Sequence, residues 1–439
     1  MVRTRKSSNL GADIRGDTSA PAMSTMNEVS PVETEAPKWD QSPEKTSKSQ
    51  SKRRKSRSAL RRFMSTCLKH TWLLPLLMLV VLLALYAINP TTSNPMHSAI
   101  FLSYPQPPKT PGGPVMYGKG PKDITFVSFY TIVLSFTREF IMQRFIRPMA
   151  VYLGIRGKGK TARFMEQVYT AIYFAIFGPF GLYVMYRSDV WYFNTTAMFE
   201  GFPHREHEGL FKAYYLLQAS YWAQQAIVLM LQLEKPRKDF RELVGHHIIT
   251  LALIGLSYRF HFTYMGLAVY ITHDVSDFFL ATSKTLNYLD HFITAPYFGM
   301  FVGMWIYCRH YLNLKILWAV LTEFRTVGPY ELNWETQQYK CWISQIITFA
   351  LLASLQAVNL FWLFLILRIL KNYIFNSVRK DERSEDEDTE EEEPEQSSQA
   401  ARATGAEVPK ITARAPGKDN QAPQVLVNGQ PLPEKSGRR

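Results

Sequence analysis

Between residues 235 and 289 the chain reads KPRKDFRELVGHHIITLALIGLSYRFHFTYMGLAVYITHDVSDFFLATSKTLNYL. His246 and His247 stand side by side in one apolar run, and His273, Asp274 and Asp277 stand in the next. Imidazole changes charge near neutral pH, and a carboxylate beside it orients the ring and raises its basicity. Such a set suits general-base or nucleophilic catalysis. Asp274 and Asp277 are spaced i, i+3, so a helix presents both on one face. Lys284, seven residues after Asp277, falls on nearly the same face. It reads either as a charge partner or as a lysine that snorkels to the membrane boundary.

The two runs read as a helical hairpin inside a membrane. With the turn near residue 263, the rise of 1.5 Å per residue puts His247 and Asp277 roughly 24 and 21 Å from the bend, with His246 and Asp274 at about 25 and 16 Å. Antiparallel limbs bring these residues to similar depth. A single polar pair there would read as packing between helices. Two histidines and two carboxylates at one depth, each with a substantial insertion cost, point instead to function. Metal binding is weighed and set aside, so no metal is expected. The chain has one His-His pair and none of the repeated histidine boxes of membrane di-iron enzymes, His204-x-x-His207 falls in a loop on the other side, and nothing in the spacing of His246, Asp274 and Asp277 demands zinc.

Eight apolar segments hold this hairpin: 71–89, 124–145, 168–186, 212–233, 241–261, 264–288, 295–317 and 343–370. The first, TWLLPLLMLVVLLALYAIN, has no charge and is long enough to cross a hydrocarbon core of about 30 Å. In 124–145, Arg138 and Glu139 leave a partly interfacial placement open. The expected fold is therefore all-α, a polytopic membrane bundle of about eight transmembrane helices. Its expected parts are a disordered basic arm at 1–65, two amino-terminal helices at 71–146, a six-helix domain at 160–373 and a disordered tail at 376–439.

Over all 439 residues, 46% are hydrophobic, 20% are charged and the net charge is +13, and the mean hydropathy of -0.13 averages over these unlike regions. The three cysteines exclude a disulfide framework. The basic cluster at Lys52–Arg62 precedes the first span and no nucleic-acid module follows, so it reads as a cytoplasmic flank. The acidic run at 381–395 reads as a solvated tail. Positive charge is concentrated in the loops 146–167 and 234–240, which places them and both termini in the cytoplasm. The Asn194-Thr195-Thr196 sequon then falls on the lumenal side as a glycosylation candidate.

The order His246, His247, Thr250, Ser257, Tyr258, Gly266, Asp274, Asp277, Lys284, Asn287, Tyr288 resembles the Lag motif of ceramide synthases over about forty residues. Lys212, Tyr214, Tyr215, Leu216 and Gln218, then Gln224, Gln225 and Arg237-Lys238-Asp239-Phe240, are similar to that family too, and the resemblance spans roughly residues 160–373. His273 stands before Asp274 as in animal members, whereas the basic arm and acidic tail look fungal.

The resemblance implies a six-helix barrel-like catalytic domain in the endoplasmic reticulum membrane and acyl-CoA-dependent N-acylation of a sphingoid base, sphinganine or phytosphingosine. Acyl-CoA is then a co-substrate, and no cofactor is expected. The implied catalytic set is His246, His247, Asp274 and Asp277, with Asp277 orienting a histidine. His273, Lys284, Asn287, Lys238 and Arg241 are substrate-binding candidates. A small single-span accessory subunit and a homo-oligomer are further partner expectations. The competing reading is a non-catalytic lipid-binding or lipid-sensing protein of the same superfamily.

Overall fold

A computed structural model describes residues 61–108, 111–231 and 239–376, together with the short strands Leu426–Val427 and Gln430–Pro431. The basic arm before residue 61, the acidic run at 381–395 and the candidate Lys238 lie outside the described residues. The chain divides into two units, residues 1–65 and 66–439. Of the first, residues 61–65 are helical.

Every apolar segment predicted from the sequence is helical. Helix α1 is Leu73–Ile88. Helix α2, Lys122–Tyr152, runs through a π-helical segment at Met142–Ile146, just before Pro148, which has no N–H to return to the preceding turn. Arg138 and Glu139 pair with one another inside this continuous helix, and Gln143 Nε2 donates to Glu139 Oε2 at 3.2 Å. Helix α3 is Lys158–Tyr186, α4 is Gly209–Met230, α5 is Phe240–Arg259 and α6 is Thr263–Tyr288. Helix α7 comprises Thr294–Ile306, a π-helical segment Tyr307–Leu312 and Asn313–Thr322. Helix α8, Trp342–Asn376, completes the set.

By length and apolarity alone, α2, α3 and the Trp342–Phe375 part of α8 are sufficient to cross a membrane, and a fourth crossing counts if α1 is joined to the short helix Arg61–Lys69 before it. The chain is thus a helical, multi-pass membrane protein. Helices α4 to α6 fall short because Lys212, Gln218, Gln224, His246, His247, Asp274 and Asp277 dilute their apolar character. Four of them, His246, His247, Asp274 and Asp277, are the candidate catalytic set.

Helix α3 packs lengthwise on α6, α2 on α4, and α5 on α8. The core between α3, α4 and α6 is strongly aromatic: Tyr173 stacks on Tyr221 at 3.8 Å between ring centroids and on Phe177 at 4.3 Å. One feature departs from the all-α expectation. Strands β1 (Pro105–Gln106), β2 (Met116–Tyr117) and β3 (His207–Glu208) form a small antiparallel sheet in which Tyr117 faces His207. Strands of two residues carry no alternation that a sequence pattern could reveal.

The α5–α6 bend sits near this sheet. Lys119 Nζ donates to the His204 carbonyl at 2.8 Å and lies 3.4 Å from His261 Nδ1. Burial, and then the Lys119 charge, push the His261 imidazole down to about 3, and burial pushes His204 down to about 4. Both rings are neutral at physiological pH, and His261 Nε2 meets Gln337 Oε1 of the loop before α8 at 3.2 Å.

Candidate active site

The hairpin exists as expected: α5 carries His246 and His247, α6 carries His273, Asp274 and Asp277, and residues 260–262 make the bend. His246 is buried, its ring 5.1 Å from Trp362, 5.8 Å from Trp222 and 6.3 Å from His273 by centroid. His246 Nε2 lies 3.5 Å from Thr250 Oγ1.

The tautomers of two imidazoles follow from their partners. His247 Nδ1 is 2.9 Å from the Leu243 carbonyl, and His273 Nδ1 is 2.9 Å from the Val269 carbonyl. A carbonyl only accepts, so each Nδ1 carries the proton and each neutral ring keeps its lone pair on Nε2. Neither Nε2 has a protein partner among the described residues. His247 is half-buried and His273 fully buried, so the accessible base is His247 Nε2.

The carboxylates are engaged elsewhere, and here the structure corrects the sequence reading. Neither Asp274 nor Asp277 bonds a histidine. Asp274 Oδ2 accepts from Tyr214 Oη at 2.7 Å and from Gln218 Nε2, both on α4. Asp277 Oδ1 pairs with Arg309 Nη2 of α7 at 2.5 Å. Asp277 thus does not orient an imidazole by direct contact; its direct ion pair is with Arg309, and the Lys284 charge acts on it as well. Lys284 is half-buried further along α6, while Asn287 and Arg241 are exposed at helix ends. Asn194 is exposed in the loop between α3 and α4, and the sequon hydroxyl of Thr196 donates to Glu323 at 2.9 Å.

Sequence reasoning missed four of the partners. Arg309 was legible only as one charge inside an apolar segment, Trp362 and Trp222 looked like ordinary helix residues, and Gln218 stood in the family pattern with no partner assigned to it. A glycine supports the set as well. A Cβ on Gly181 of α3 would collide with the Tyr214 hydroxyl, which holds Asp274. Gly181→Ala is therefore expected to cost about 1–3 kcal/mol of stability through overpacking. The double variant Gly181→Ala/Tyr214→Phe should recover part of that loss in thermal unfolding, and no recovery would place the strain elsewhere.

Beside His273 opens a cavity of about 240 Å³, lined by α4, α5, α6, α8 and the loop before α8. Its walls are almost wholly apolar. Trp222, Thr250 and His273 line one end, and all three adjoin His246; Trp334, Tyr339 and Cys341 line the other. From Thr250 to Phe260 the lining follows α5 for about 15 Å. The arrangement seats an alkyl chain with its reactive end at the imidazoles.

The TLC domain model (TRAM, LAG1 and CLN8 proteins) matches residues 163–368. A ceramide synthase of Saccharomyces cerevisiae is 54% identical over 319 residues, covering 72% of this chain and 76% of its own. A sphingosine N-acyltransferase of Schizosaccharomyces pombe is 51% identical over 339 residues, 76% of this chain and 87% of its own. A sphingosine N-acyltransferase-like protein of Gibberella moniliformis is 54% identical over 325 residues, 73% of this chain and 84% of its own. The chain belongs to the ceramide synthase family of TLC-domain membrane proteins.

Proposed function

We propose that this protein is a ceramide synthase that transfers a fatty acyl group from acyl-CoA to the amine of sphinganine or phytosphingosine, using the site on α5 and α6. The observation that carries the reading is the unprotonated Nε2 of His247 on the same hairpin as an apolar cavity whose wall includes Trp222, Thr250 and His273, the three neighbours of His246. The family relationship supports the same reaction.

In the direct route, His247 Nε2 takes a proton from the amine as its nitrogen attacks the thioester carbon. The C–N bond forms, the C–S bond breaks, and the proton passes on to the leaving CoA thiolate. The neighbouring imidazole of His246 stabilises the oxyanion. In the covalent route, Nε2 attacks first and forms an acyl-imidazole that the amine resolves. Asp274 and Asp277, held by Tyr214, Gln218 and Arg309, favour the developing imidazolium through space, which counts for more in a dry interior than in water. No metal or cofactor enters either route.

The six helices within residues 160–373 form the catalytic domain in this reading, behind two amino-terminal helices. All eight helices cross the endoplasmic reticulum membrane and both termini are cytoplasmic. Arg241 and Lys238 then lie where the CoA phosphates approach, His273, Lys284 and Asn287 bind substrate, and Asn194 is lumenal and open to glycosylation. A small single-span subunit and a second copy of the chain are proposed partners.

The test is turnover by the purified protein. Sphinganine and a saturated long-chain acyl-CoA should give N-acyl sphinganine and free CoA in equal amounts. CoA release without amide, or no turnover, overturns the reading.

A further inference from the structure

We infer that Arg309 is a positioning residue for the acyl transfer and acts through Asp277; the inference rests on the reading of the site given above. Arg309 is one of the largest fully buried side chains, and its donors reach three groups on two helices. Nη2 meets Asp277 Oδ1 at 2.5 Å, Nε donates to Ser276 Oγ at 2.7 Å, and Nη1 donates to Asn359 Oδ1 of α8 at 3.1 Å. Its guanidinium carbon lies 4.4 Å from the centroid of the Trp305 ring. A planar fork held at three points and stacked on an aromatic face has little freedom left.

The backbone is shaped to deliver it. The π-helical segment Tyr307–Leu312 widens one turn of α7, and Cys308, Arg309 and His310 are all buried there. Such single-turn π segments interrupt helices mostly at functional sites. The next residue extends the same bridge: His310 Nδ1 meets Gln356 Nε2 at 2.7 Å, and Gln356 Oε1 accepts from Asn313 Nδ2 at 2.8 Å. Helices α6, α7 and α8 are thereby fastened at the depth of Asp277.

Asp277 is half-buried between the buried Ser276 and a half-buried stretch, residues 278–280. The carboxylate retains 17% of its side-chain exposure against 2% for Arg309. Arg309 holds Oδ1 and so fixes the plane of the carboxylate. A buried carboxylate also requires a partner of opposite charge, and Arg309 supplies it.

The experiment is a double-mutant cycle in the full chain, reading kcat, KM for acyl-CoA and thermal unfolding. Arg309→Met should lower kcat by about a hundredfold, the scale of a small misplacement of a catalytic group, with KM for acyl-CoA unchanged. In an Asp277→Asn background the same substitution should lower kcat no further, because the group it positions is gone. Arg309→Lys keeps the charge without the fork and should fall between wild type and Arg309→Met; it carries the cycle if the methionine variant does not fold. Normal kcat in the Arg309 variants or in Asp277→Asn, or an equal fall in both backgrounds, overturns the inference. A wild-type protein with no acyltransferase activity removes the function reading itself, whereas an active wild type with unaffected Arg309 variants removes only this role.

Discussion

His247→Ala is expected to lower ceramide formation by about a thousandfold or more, because it deletes the half-buried imidazole whose Nε2 keeps an unshared pair. His247 is half-buried and its only protein hydrogen bond is to the Leu243 carbonyl within its own helix, so the variant should unfold near the wild-type temperature. His246→Ala should also abolish turnover, but with a measurable loss of stability, since it empties a space between Trp222 and Trp362. The contrast is informative: equal loss of activity with unequal loss of stability separates chemistry from packing. Steady-state rates and thermal unfolding on the same preparations check both, and normal turnover in either variant ends the assignment.

The second large effect concerns the fold. Lys212 Nζ lies 2.7 Å from Asp123 Oδ1, with side-chain exposures of 0% and 3%, and also donates to the carbonyls of Ser103 at 2.8 Å and Gly118 at 2.7 Å. Asp123 Oδ2 accepts from Tyr258 Oη of α5 at 2.7 Å. This ion pair joins the starts of α2 and α4 to the far end of α5. Removing one partner leaves a buried charge without compensation, so Lys212→Met is expected to destabilise the protein by about 3–5 kcal/mol. Lys212→Met/Asp123→Leu should be less damaging than either single change, because no lone charge remains. An unfolding temperature of Lys212→Met close to wild type would contradict the reading.

Much of this architecture is written in the sequence at the level of segments. The eight predicted apolar runs all coincide with helices, because each is mostly apolar between polar loops. Depth alone was a weak guide within the hairpin: the rise per residue separates His246 and His273 by about 10 Å along the axis, yet their rings lie 6.3 Å apart by centroid. What failed was partner assignment. The sequence puts Asp277 near His247 in depth, but depth along an axis says nothing of rotation about it. Asp274 turns toward α4, and Asp277 turns toward α7, where its partner lies thirty-two residues on. Lys212 was legible as part of a family pattern, yet its complete burial depends on Asp123, from a helix that precedes the matched domain.

Residue type also misleads where function and membrane crossing compete. The polar residues of α4 to α6 lower their apolar character, so the helices that build the site are the ones least recognisable as spans. The cavity was invisible for a related reason. Its wall combines Trp222, Thr250, Val269, Leu355 and Trp334 from four helices and a loop, and no periodicity in one segment announces a space between five.

The central claim is that an alkyl chain fills this cavity while its head reacts at the histidines. The most direct measurement is photolabelling of the purified protein, in bilayers, with an acyl-CoA carrying a diazirine at the end of its chain, followed by mass mapping of the labelled peptides. The label should appear in the loop and first turns of α8 between Leu332 and Leu355, and unlabelled acyl-CoA should displace it. Label confined to outward-facing residues such as Ile248 or Trp318, or undiminished by competitor, would contradict the account.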